Sequence, residues 1–238
     1  MQHNMEEGRK KHHFGRRIAI ILLLCFLLVS AMRFAPGQVP FPISLIFSSN
    51  PFNTVTDWNL TLVNWDHKIP WNWNIELTEL SNGQRVDSRI YPPLQQMFDD
   101  MRAQGVYPVV ASGYRTAKSQ QALMDDKVES FCAQGYSKSQ AKEEAKKWVA
   151  EVGYSEHQTG LAVDINADGI HSAGMQVYAW LADNAWKYGF ILRYPKDKTA
   201  LTKTDYEPWH YRYVGTEAAK EIYERGLCLE EYVGTNAA

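Results

Sequence analysis

The apolar positions change period several times along the chain, and each change marks an element. In PPLQQMFDDMRAQG, Leu94, Met97, Phe98 and Met101 recur at helical spacing, and Gly105 supplies the stop. NLTLVN (59–64) alternates as a strand does, and VYPVVAS (106–112) reads as a second strand. A helix is predicted over 116–133. Ser137 and Gln140 form a capping box for another, which runs to about Val152. GLAVDI, FILRY and HYRYVG follow as strands, with a helix over 175–188 between the first two. The last helix spans 216–225, with Gly226 just past its end. Helices and strands without regular alternation predict an α+β fold rather than a doubly wound sheet.

The N-terminus has a different pattern. Residues 1–17 are polar and basic, and IAIILLLCFLLVSA (18–31) then runs 14 residues without a charge. Such a pairing reads as an export signal. The run reaches only ~21 Å as a helix, against the ~30 Å of a bilayer core. Snorkelling Arg17 and Arg33 can stretch it into an anchor, and Val29-Ser30-Ala31 also offers a cleavage site, so both readings of 18–35 stand. Either one leaves the basic tail, 1–17, in the cytoplasm and the rest outside. Residues 36–57 are rich in Pro, Ser and Asn and read as a linker, with the folded domain over 58–238.

Composition narrows the picture. The chain has 238 residues, 45% apolar and 22% charged, which suits one folded domain plus extras. A net charge of −2 gives no footprint for nucleic acid. The 8 Trp and 13 Tyr fit a core of large side chains, or a carbohydrate-facing surface. Cys132 and Cys228 fall in the exported part and either pair or remain free thiols.

Three stretches carry candidate chemistry. In SEHQTGLAVD, His157 and Asp164 stand seven apart, ~23 Å along an extended chain and ~10 Å along a helix. A reverse turn at Gln158-Thr159-Gly160 would bring them together, either as half of a metal site or as a surface pair. In DYEPWHYRYVG, Pro208 pushes Glu207 towards extended backbone, so Glu207 and His210 sit at a kinked strand start. Two His and a carboxylate with a position left for water make the ligand set of a catalytic zinc site, and a separate Glu is the base its water needs. In SGYRTAKSQ, Arg115 lies where a strand gives way to a helix and is suited to holding a carboxylate or an oxyanion. His171 is expected in a turn, His67 in a local loop contact, Asp168 and Asp183 in ordinary turn and helix-face roles, and Trp71 and Trp73 in a loop pinned to the core.

SGYR, SEHQTGLAVD, YGFILRYP and EPWHYRYVG, in this order and spacing, resemble the VanY-type D-alanyl-D-alanine carboxypeptidases, zinc peptidases of the bacterial cell wall related to the VanX dipeptidases. LVNWDHKIP and CLEEY extend the resemblance over about 58–232. It implies a single small α+β domain whose antiparallel sheet forms a zinc cleft flanked by helices. It implies one zinc per chain, held by His157, Asp164 and His210, with Glu207 as base and Arg115 on the scissile carbonyl. Ser155 and Gln120 match positions near the substrate. The implied substrate is a peptidoglycan stem peptide that loses its terminal D-alanine. A monomer is expected, attached to the membrane through its N-terminal segment or secreted after cleavage. An L,D-carboxypeptidase acting on tetrapeptide stems and a silent wall-binding module are the alternatives. PKDKTALTKTDY, before EPWH, lacks the glycines the resemblance leads one to expect in a loop that would line the substrate pocket.

Overall fold

A four-stranded antiparallel sheet and the helices packed on it enclose the main apolar cluster of the described residues. The structure, a computed structural model, describes residues 55–166 and 175–236, all within one compact unit, Thr54–Ala238. The apolar segment at 18–35, the linker up to residue 54, His171 and Asp168 lie outside the described residues, and the last three linker residues, 55–57, belong to a 3₁₀ turn. Among those described, no helix is long and apolar enough to cross a membrane.

Strand β1 (Leu77–Glu79) pairs with β2 (Arg85–Asp87) as a hairpin, which the hydrophobic pattern did not suggest. Its turn carries Asn82-Gly83, with Gly83 at φ 82, the pair that tight hairpins favour. Helix α1 (Tyr91–Ala103) begins with two prolines, whose missing N–H groups cost nothing in a first turn. It buries the four apolar positions read from its period, Leu94, Met97, Phe98 and Met101. Strand β3 is Val110–Ser112, and α2 (Ala117–Ala133) is N-capped by the Thr116 side chain. Helix α3 (Lys138–Lys146) starts at the expected capping box, with Ser137 and Gln140 bonding reciprocally.

A short 3₁₀ turn, Glu156–Thr159, leads through Gly160 into β4 (Ala162–Ile165). Helix α4 (Met175–Asn184) tightens into the 3₁₀ turn Ala185–Tyr188, and β5 (Phe190–Leu192) follows. A four-residue α5 (Thr199–Thr202) precedes β6 (His210–Tyr213). Helix α6 (Thr216–Arg225) ends at left-handed Gly226, as its sequence predicts, and α7 (Leu229–Asn236) closes the described chain.

The sheet order is β3-β4-β6-β5, antiparallel throughout. Strand β4 is buried along its whole length. Val163, Ile165 and Tyr211 belong to the core with Leu94, Met97, Met101, Trp180 and Leu181. Side chains alternate across a strand, so Asp164, His210 and Arg212 share the opposite face.

Several expected elements are shorter or absent. Residues 59–64 form no strand. The 3₁₀ turn Val55–Leu60 covers the start, and the carbonyls of Asn59 and Thr61 accept from the Arg212 guanidinium at 3.1 and 2.8 Å instead of from a neighbouring strand. Over 106–112, Pro108 has no donor, and Val109 exchanges bonds with Asn166, leaving only the last three residues as strand. Helix α3 stops at Lys146 rather than Val152, and beyond it the Ala150 carbonyl accepts from Gln120 Nε2 at 2.7 Å. Cys132 is half-buried, Cys228 is buried, and both are free. His67 makes the expected local contact, Nδ1 to Asn64 Oδ1 at 3.0 Å. Trp73 is pinned by its Nε1 to the Thr159 carbonyl, whereas Trp71 is fully exposed rather than packed on the core.

Candidate metal centre and its cleft

Register alone brings the first two candidates together. Asp164 on β4 pairs directly with His210 on β6, and Ser112 on β3 pairs with Asp164 from the other side. Directly paired residues project from the same face with Cβ atoms about 5 Å apart. His210 Nδ1 accordingly lies 3.0 Å from Asp164 Oδ1. Ser112 Oγ accepts from Arg115 Nε at 2.9 Å, and Arg115 Nη2 donates to Asp164 Oδ2 at 2.7 Å.

His157 comes from the turn before β4. Gly160 at φ 75 closes that turn, a conformation a Cβ would strain. A Cβ there would also stand 2.4 Å from Ile75 Cδ1. His157 Nδ1 lies 2.8 Å from the Gly113 carbonyl, which can only accept, so the proton sits on Nδ1 and the Nε2 lone pair is left to face Asp164 Oδ2 at 3.3 Å. One donor atom from each of His157, Asp164 and His210 falls within 4.8 Å of the other two, and all three residues are buried. Two imidazoles and a carboxylate suit zinc. The orientation of His157 by a backbone carbonyl is the support such ligands normally have.

Gly113 has a role of its own here. A Cβ at this position would stand 2.2 Å from the Arg85 carbonyl oxygen, which already accepts from Tyr114 N. Gly113 N donates to Gln84 Oε1, and Asn82 Nδ2 donates to the Val110 carbonyl, so the β1–β2 hairpin braces the SGYR loop. Gly113→Ala is expected to push the loop off the hairpin and move the carbonyl that orients His157. The protein should lose about 1–3 kcal/mol of stability, as overpacked sites do, and zinc affinity should fall with it. Thermal melting and metal titration of the variant check both.

The trio lies in a cleft of about 470 Å³, which Arg115, Gln120, Ser155, Tyr194, Trp209 and Glu207 also line. Glu207 Oε2 is 3.7 Å from His210 Nδ1. Burial raises the Glu207 carboxyl above its ordinary value, an effect opposed by His210. Burial lowers the His157 imidazole. His210 is the reverse case. Burial alone would lower it, but the Asp164 and Glu156 carboxylates beside it outweigh that and lift it to about 9. Burial would likewise raise Asp164, yet His157 and His210 hold it well below the carboxylate range.

Gln120 is buried, and its Nε2 is committed to Ala150, which fixes Oε1 as an acceptor with no partner among the described residues. Ser155 is buried at the same wall. All seven residues singled out from sequence therefore line one cleft. What the sequence reading missed adjoins it, at the buried end of the same wall. Glu156, Arg193 and Arg212 are buried, with Glu156 Oε1 accepting from Arg193 Nε and Arg212 Nη1 at 2.7 Å each. Glu230 binds the far side of Arg193 at 2.7 and 2.9 Å. Burial would raise Glu156, but Arg193 and Arg212 keep it ionised. The signal was present: an arginine inside FILRY and another inside HYRY, in strands otherwise apolar and aromatic, need buried partners.

A family model described as VanY, D-alanyl-D-alanine carboxypeptidase, matches residues 83–216. The chain is 60% identical over 179 residues to a D-alanyl-D-alanine carboxypeptidase of Enterococcus faecalis, an overlap covering 75% of this chain and 67% of that protein. Among solved structures it is similar to VanYB in complex with D-alanine-D-alanine, at 61% identity and a TM-score of 0.72, covering 75% of this chain and 98% of the other. It is also similar to a vancomycin-resistance D,D-pentapeptidase VanY from a VanB-type cassette, in complex with Zn(II). That match has 60% identity and a TM-score of 0.71, covering 74% and 99% of the two chains.

Proposed function

Because this chain belongs to the VanY family of D-alanyl-D-alanine carboxypeptidases, we propose that it is a zinc-dependent hydrolase that removes the terminal D-alanine from peptidoglycan stem peptides, with His157, Asp164 and His210 as the metal ligands. The observation that carries this reading is the convergence of three buried donor atoms within 4.8 Å on a cleft wall, with Glu207 beside them. His157 would bind through Nε2 and His210 through Nδ1, the nitrogens nearest Asp164.

Zinc bound there would supply a Lewis acid and lower the pKa of its water. Glu207 is placed to take a proton from the water that attacks the scissile carbonyl carbon, and burial keeps its carboxyl more basic than an exposed glutamate. As the C–N bond breaks, the same carboxyl would return the proton to the departing D-alanine nitrogen. Arg115 has Nε on Ser112 and Nη2 on Asp164, which leaves Nη1 to donate to the scissile carbonyl oxygen as it gains charge. Gln120 Oε1, a buried acceptor with nothing to accept among the described residues, suits a peptide N–H of the substrate, and the Ser155 hydroxyl lies at the same wall.

Removal of D-alanine from a D-Ala-D-Ala terminus is favoured over L,D-cleavage, since the relatives at 60% identity are named for the former. A silent wall-binding module has little use for a base and a guanidinium placed as Glu207 and Arg115 are. Incubation with defined stems tests all three. Pentapeptide stems ending in D-Ala-D-Ala should lose one alanine by mass while tetrapeptides persist, and a chelator should stop the reaction. Cleavage of tetrapeptides alone would favour the L,D alternative. A zinc-loaded protein that cuts neither would favour the silent one.

We further infer that the catalytic domain begins near Trp58, which stacks on Tyr213 at 5.8 Å and lies under the Arg89 guanidinium at 3.8 Å. A wall substrate places that domain outside the cytoplasm, with residues 18–35 as its leader or anchor. A reporter fused after Ala238 that is active only in the cytoplasm would overturn this.

A further inference from the structure

His157 has its second ring nitrogen held by a carbonyl, but His210 has no such support within its own strand pair. Its Nε2 is buried and has no partner within hydrogen-bonding geometry among the described residues. The nearest acceptor is Glu156 Oε2, at 3.5 Å, also buried and also without another partner. The other oxygen of that carboxylate is fully used, accepting from Arg193 and Arg212. Two orphaned buried polar atoms that face each other are a contact waiting to tighten, since each costs stability while unpaired.

The backbone explains why they meet. Glu156 precedes His157 on the same 3₁₀ turn, and the turn lays both side chains against one face of the sheet, His157 towards Asp164 and Glu156 towards His210 and Arg212. Arg212 lies two residues beyond His210 on β6 and therefore on the same face. Arg193 N donates to the His210 carbonyl at 3.1 Å, which fixes where its side chain starts. Glu230, on α7, completes the set, so two arginines are balanced by two glutamates with no net charge.

We propose that Glu156 is a positioning residue for the metal site: its Oε2 accepts from His210 Nε2–H, which keeps the His210 proton on Nε2 and leaves Nδ1 to bind the metal beside Asp164. Arg193 and Arg212, both buried, hold the carboxylate in that pose, while Glu230 only neutralises the far side of Arg193. The proposal rests on the zinc reading of the site given above.

Glu156→Gln makes a sharp test. Both arginines only donate, so they capture the new carbonyl oxygen and turn the amide NH₂ towards His210 Nε2. A donor then faces a donor, and the imidazole is driven to carry its proton on Nδ1, the wrong nitrogen. Zinc affinity of the full-length chain, measured by chelator competition, should fall about 10–100-fold, as with other residues that orient metal ligands. Glu230→Gln removes the same charge from the same network without facing His210, and should lower the melting temperature while zinc affinity stays close to wild type. Equal zinc loss in both variants would reduce Glu156 to a structural ion-pair partner and overturn the proposal. So would wild-type affinity in Glu156→Gln.

Nitrogen-15 spectra of the zinc-loaded native chain test it without any variant. His210 should show a protonated Nε2 and His157 a protonated Nδ1. A His210 protonated on Nδ1 would overturn the proposal even if Glu156→Gln fails to fold. A native chain that takes up no zinc would instead remove the metal reading itself.

Discussion

Glu207→Gln is expected to keep its zinc and its melting temperature while turnover falls by about 10²–10⁴-fold, the contribution of a positioned general base. The substitution keeps the size of the side chain, the turn at Pro208 and a hydrogen-bonding tip, and removes only the capacity to accept a proton. Glu207 lies at the cleft wall, 3.7 Å from His210, outside the tight trio of donor atoms. A base placed there can leave the metal untouched when it is lost. If Glu207 were a fourth ligand, zinc would leave with the activity. If it were a structural acid, stability would fall while turnover persisted. Zinc content, melting temperature and turnover of one variant separate the three cases, and a zinc-loaded variant with native turnover would sink the mechanism.

His157→Ala is expected to abolish both zinc binding and hydrolysis. Asp164 and His210 alone leave two protein ligands, too few to hold a catalytic zinc against solvent. The loss also strips the Gly113 carbonyl of its donor and opens a space at a buried position. A lower melting temperature is therefore expected beside the metal loss, and the metal measurement belongs at a temperature where the variant is folded. Elemental analysis of the purified variant decides the matter, and a full zinc complement would show that the ligand set is wrong.

The identity of the reacting groups was legible in the sequence because chemistry restricts residue type. Only His, Asp, Glu and Cys make good metal ligands, and here they fall in short motifs bounded by a glycine or a proline that dictates the local turn. Helices α1 and α6 were legible for a related reason: their apolar period and their stop signals are local, and local signals survive in one dimension. Gly226 ends α6 where the sequence places it.

What tertiary structure alone decided is long-range. Residues 59–64 alternate like a strand, yet their carbonyls are claimed by Arg212, about 150 positions away, and no local pattern reveals that competitor. The pairing of Asp164 with His210 depends on strand register, which a one-residue slip would destroy by turning one side chain to the other face. The same holds for Glu156, Arg193, Arg212 and Glu230. Two of them interrupt apolar strands in the sequence, but no local pattern says which partner each will meet. Burial makes Glu156, Arg193 and Arg212 depend on one another, and only the packed sheet brings them, with Glu230, together beside His210.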